Sequence, residues 1–109
     1  SLARQVLNLK SEEKKKITID EILYVIEDEY DVSLDKLTSR SRQSTITNAR
    51  QIAMYLCRKL TDLSLVRIGD AFNRDHTTVM HSIDKVESHI KEDQIFKMEI
   101  DSLVERIRN

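Results

Sequence analysis

"RDHTTVMHSI", residues 74–83, sets an arginine, an aspartate, a histidine and two threonines ahead of its first apolar residue. From there Val79, Ile83, Val86 and Ile90 recur at helical spacing, so the polar cluster stands at the mouth of a helix with one inward face. A helix cap, a metal site, nucleophilic catalysis and nucleic-acid recognition all use such residues. The surrounding chain decides among them.

Immediately upstream lies "SLVRIGDAF", residues 64–72. Ser64 is a predicted N-cap, and Leu65, Ile68 and Phe72 form one apolar face. Only Asn73 to Asp75 separate this short helix from the next. A short helix, a turn of about three residues and a second helix make the geometry of a helix-turn-helix. There the second helix enters the major groove and its first residues meet base edges. Aspartate can accept from cytosine N4, threonine can meet a thymine methyl, and histidine can donate to an acceptor edge.

The competing chemistries explain less. Asp75 as a helix cap accounts for one residue of the cluster. His76 and His81 lie about 140° apart around a helix and do not share a face, and no cysteine or paired carboxylate stands at ligand spacing. Adjacent Asp75, His76 and Thr77 cannot form a triad, and one glycine in the whole chain allows no phosphate-binding loop. The pattern leaves a DNA-binding helix-turn-helix and an anonymous helical interaction domain both open.

The remaining segments also read as helices. Thr18 and Glu21 fit a capping box ahead of the stripe Ile19, Ile22, Leu23, Ile26 and Tyr30. A short turn of helix starts at Ser33, and residues 38–47, "TSRSRQSTIT", form a polar loop with two arginines and no acid. In "ITNARQIAMYLCRKLTD" the residues Ile46, Ala49, Ile52, Ala53, Leu56, Cys57 and Leu60 share the face of a central helix. Its outer face is expected to carry Arg50, Gln51, Arg58 and Lys59. A last helix, "QIFKMEIDSLVERIRN", buries Phe96, Ile100, Leu103 and Ile107. Residues 1–16 read as a connector helix and solvated linker from a larger upstream part.

Composition agrees with one all-α domain over residues 17–109. The 109 residues hold no proline and one glycine, Gly69, which disfavours tightly turned sheets. No apolar run reaches the roughly 18 residues of a membrane span. The lone Cys57 reads as a small core residue in a reducing compartment, so a cytoplasmic protein is expected. Net charge is −1, but it is distributed as −3 over residues 1–39, +4 over 40–85 and −2 over 86–109. A polyanion partner suits the middle segment alone.

The string "SLVRIGDAFNRDHTTVMHSIDKVE" closely resembles the C-terminal DNA-binding domain of the DnaA family of bacterial replication initiators, whose signature reads like "IGxAFGxRDHTTVxHA". The resemblance extends over about residues 17–109. It implies a tryptophan-repressor-like helical fold that recognises short asymmetric DnaA boxes in double-stranded DNA at the replication origin. It implies no enzymatic activity and no cofactor here, ATP belonging to an upstream domain. Carried over by position, Arg74, Asp75, His76 and Thr77 would read bases in the major groove, and Arg42 would enter the adjacent minor groove. Arg50, Gln51, Arg58, Leu65, Val66, Thr78, His81 and Lys85 would contact phosphates. Regulators of replication could dock on the domain, which is expected to be monomeric in isolation. Three departures stand out. Asn73 alone replaces a glycine pair, Ala49 and Val66 replace prolines, and Ser41 and Ser44 stand where relatives often carry arginines.

Overall fold

The computed structural model describes residues 16–109, so the expected connector over 1–16 lies, but for Lys16, outside the described residues. Among the described residues six helices follow one another: α1 (Ile19–Tyr30), α2 (Leu34–Leu37), α3 (Ser44–Leu60), α4 (Leu65–Phe72), α5 (His76–Glu92) and α6 (Gln94–Arg108). No strand occurs among the described residues, and none of their helices is long and apolar enough to cross a membrane.

Local chemistry sets most helix starts. Thr18 and Glu21 form the reciprocal capping box at α1, the Thr18 N–H donating to Glu21 Oε1 at 2.9 Å. Ser33, Ser64 and Asp75 each accept a backbone N–H from the third residue onward, at α2, α4 and α5. Asp93 alone separates α5 from α6, its Oδ1 accepting the N–H groups of Ile95 (2.9 Å) and Phe96 (3.1 Å). The central helix is the exception. It begins at Ser44, inside the span expected to be loop, and Gln43 makes no side-chain cap. Exposed Ser44 and Thr45 carry no apolar signal, which is why periodicity placed the start later.

Helix α3 is the hub of the core and touches α1, α2, α4 and α5. Its Ile52, Ala53, Met54, Leu56 and Cys57 are buried, together with Ile22 and Ile26 of α1, Leu37, Ile68, Phe72, Val79 and Ile100. Burying a side chain of Phe72's size stabilises the fold by about 1.5–3 kcal/mol. The C-terminal part of α5 and all of α6 complete the packing, with Ile100, Leu103 and Ile107 facing inward. Arg106 of α6 forks to Asp28 (2.5 Å) and Glu29 (2.8 Å) of α1.

Helix α4 ends on Asn73, which adopts the left-handed conformation (φ 57°, ψ 43°). Arg74 N–H donates to Gly69 O at 2.9 Å and Asn73 N–H to Asp70 O at 3.5 Å, the paired bonds of a Schellman ending. Asparagine tolerates this region better than most residues. The turn without a glycine is therefore intact.

Candidate nucleic-acid interface

The first turn of α5 is the most exposed polar part of the helix pair. Asp75, His76, Thr77 and Thr78 are all exposed, and burial begins at Val79. Asp75 Oδ1 accepts the Thr78 N–H at 2.9 Å, and that bond holds its carboxyl below the ordinary carboxylate range. The cap thus fixes one negative group at the tip. Thr77, Thr78, His81 and Lys85 follow at helical spacing along the exposed face, opposite buried Val79, Ser82, Ile83 and Val86.

The basic loop between α2 and α3 stands beside this turn and is tied to it. Asn73 Nδ2 donates to Thr38 O at 3.3 Å, and Arg74 Nη2 donates to Ser39 O at 2.6 Å. Arg40 and Arg42, the next two basic positions, are exposed. Bonds spanning 35 residues of chain therefore bring the loop and the turn together.

Two arginines do not lie where their sequence suggested. Arg50 was expected on the outer face of the central helix, yet it is 5% exposed. Its Nε donates to Leu37 O at 2.6 Å, and Nη2 reaches Ser39 O (3.1 Å) and Ser41 O (3.2 Å). Burial, and next the charge of Arg74, lower its pKa from the ordinary guanidinium value. Buried backbone carbonyls supply the polar partners that water would otherwise give. Arg74, expected at the exposed tip, is half-buried and turns back over its own turn. Besides Ser39 O it donates through Nη1 to Phe72 O at 3.0 Å and Asn73 O at 3.2 Å. Both cations converge on one carbonyl, that of Ser39.

The other expected contact positions form two groups. Gln51 of α3 and Lys85 of α5 line one groove of about 640 Å³, with Thr45 and Asn48 on its α3 side. Thr45 and Asn48, which the sequence did not single out, lie six and three residues before Gln51 and line the same groove. Arg58 is exposed and donates to Leu63 O at 3.0 Å, next to the start of α4, where Val66 is exposed and Leu65 half-buried. An open helix start of this kind presents N–H groups and a positive dipole end to an anion.

An all-helical domain whose second motif helix offers an exposed polar tip beside a basic loop is a helix-turn-helix DNA-binding domain. A sequence profile described as the helix-turn-helix of bacterial dnaA protein matches residues 19–86. The chain belongs to that family. It is similar to the crystal structure of a DNA replication initiation factor, at 37% identity and a TM-score of 0.71, covering 91% of this chain and 31% of that one. It is also similar to AMPPCP-bound DnaA from Aquifex aeolicus, at 32% identity and a TM-score of 0.65, covering 82% of this chain and 28% of that one. A replication initiator DnaA bound to AMPPCP and single-stranded DNA matches at 32% identity and a TM-score of 0.64, over 92% of this chain and 32% of that one. The chain therefore spans about a third of the length of these relatives.

Proposed function

We propose that the domain reads short asymmetric boxes in duplex DNA at a replication origin, as a monomer within a DnaA-type initiator acting in the cytoplasm at the nucleoid. The observation that carries this reading is the exposed, capped start of α5 standing beside a basic loop that is hydrogen-bonded to its turn. Asp75, His76 and Thr77 meet base edges in the major groove. Arg42 enters the neighbouring minor groove, where a narrow A·T-rich segment concentrates negative potential.

The remaining positions hold the phosphates. Thr78, His81 and Lys85 follow one strand along α5, while Gln51 lies across the groove from Lys85. Arg58 and the amides of Leu65 and Val66 hold a second phosphate at the start of α4. The reaction class is binding alone.

Fluorescence anisotropy at a stated salt concentration, with one labelled duplex carrying a consensus box and one scrambled, tests the reading. Tighter binding of the consensus duplex is expected, with affinity falling steeply as salt rises. Equal affinity for both would leave a helical module that docks replication regulators without reading sequence. Thr77→Ala is expected to cost about 1–3 kcal/mol and relax preference at one base pair, whereas Lys85→Ala weakens all sequences alike.

A further inference from the structure

We infer that Arg74 and Arg50 are positioning residues: through the shared carbonyl of Ser39 they fix the basic loop, and with it Arg42, in register with the first turn of α5. The inference rests on the reading of DNA proposed above. It departs from a direct base contact by Arg74 and a surface phosphate contact by Arg50.

The geometry gives both guanidinium groups work inside the protein. Arg74 Nη2 and Arg50 Nη2 approach Ser39 O from α4's turn and from α3, at 2.6 and 3.1 Å. A carbonyl oxygen has two lone pairs, so both bonds are made together. Arg50 holds the chain on either side of Ser39, at Leu37 O where α2 ends and at Ser41 O in the loop. Arg74 spans the gap from the loop to Phe72 O and Asn73 O in the turn. Arg42 follows Ser41 by one residue and is exposed. The loop carries only two internal side-chain bonds after Ser39, Ser41 N–H to Ser39 Oγ and Gln43 N–H to Ser41 Oγ, at 3.1 and 3.3 Å. These order neighbours and do not fix the loop's place against α5. The distance between a side chain in the minor groove and a helix tip in the major groove is therefore set by the two arginines, together with the single Asn73 Nδ2 bond to Thr38 O at the loop's start.

The test is a double-mutant cycle on the consensus duplex with the wild type, Arg42→Ala, Arg74→Ala and the double variant. Each single variant is expected to weaken binding by about 10-fold to 100-fold, as losing one groove contact does. The double variant is expected to bind no more than about threefold worse than the weaker single, because a displaced Arg42 has little left to lose. Losses that multiply would overturn the proposal. The base preference gives a second readout. Arg74→Ala should relax the A·T preference in the minor groove, and relaxation of a major-groove pair instead would mark Arg74 as a base reader. Arg74→Lys can keep one bond to Ser39 but not all three, so it should recover part of the affinity.

A third readout needs no DNA. Amide hydrogen exchange at residues 39–43 should accelerate in Arg74→Ala while the helices keep their protection. Unchanged exchange in the loop would refute the brace. If the wild type shows no preference for a box, the DNA reading falls and the register role falls with it. Loop exchange in Arg74→Ala then still reports whether the brace itself exists.

Discussion

Gly69 and Arg74 touch so closely that no side chain fits between them. The Arg74 N–H donates to Gly69 O at 2.9 Å, and a Cβ added at Gly69 would lie 2.3 Å from the Arg74 carbonyl oxygen. Gly69 has no positive φ, so its value lies in this approach and not in backbone freedom. Alanine would favour the α4 helix by about 1 kcal/mol. It would also push the turn outward, because the atom in its way is backbone. Gly69→Ala is expected to lower stability by a net of about 1–3 kcal/mol, read by urea unfolding. It should also impair box binding more than the loss of stability explains.

The left-handed residue after Gly69's helix makes a separate prediction. Asn73 holds φ at 57° and donates to Thr38 O. Asn73→Ala is expected to cost about 1–2 kcal/mol, from conformational strain plus the lost bond. Asn73→Gly relieves the strain but not the bond, so its thermal midpoint should fall between those of the wild type and the alanine variant. A midpoint for alanine at or above that of glycine would contradict this account.

Caps at Thr18, Ser64 and Asp75 were legible because each is a short oxygen-bearing side chain just ahead of an apolar stripe. The exposed tip at His76 and Thr77 was legible for the same reason, since apolar periodicity starts only at Val79. Arg50 was not, even though Ile46, Ala49, Ala53 and Met54 place it on the inner face by spacing alone. Charge suggested solvent, and nothing local revealed that loop carbonyls 9 to 13 residues away in sequence would solvate it. Arg74's retreat from the tip was hidden likewise, because its partner Ser39 lies 35 residues away. Local rules found the helices. Long-range backbone acceptors remained invisible.

Alkali should act through Tyr30. Burial first, then its hydrogen bond to Glu99 and the nearby carboxylates, push its phenol well above the ordinary value of 10.0. A raised folded-state pKa means that this stabilisation is complete below about pH 10 and fades as pH climbs above it. Unfolding midpoints followed from pH 9 to 11.5 should decline more steeply for the wild type than for Tyr30→Phe. Parallel declines would exclude Tyr30 as the group responsible.

Acid should act at the start of α5. The Thr78 N–H depresses the Asp75 pKa, so the cap persists above the unfolded carboxylate value of about 3.9 and is lost as pH falls through the lower folded value. Protection of the Thr78 amide, its exchange rate relative to the intrinsic rate at the same pH, should fall in that acid range, and Asp75→Ala should show the lowered protection already at neutral pH. An Asp75→Ala protein with wild-type exchange at Thr78 would remove the cap from the account.

Cys57 should resist thiol reagents. It is fully buried, and burial pushes its thiol up to about 12, so thiolate is scarce at neutral pH. Labelling with a maleimide or a disulfide reagent is expected to follow global opening and to accelerate with urea. Rapid labelling of the native protein would show a local opening of α3.

The turn at Asn73 and the loop gripped by Arg50 and Arg74 have a kinetic consequence. Segments already fixed in the unliganded molecule surrender little chain entropy on contact, so encounter with a duplex approaches the docking of two rigid bodies. Association should then be governed by diffusion and by the positive middle of the chain, and differences among related boxes should emerge chiefly in how long each complex lasts.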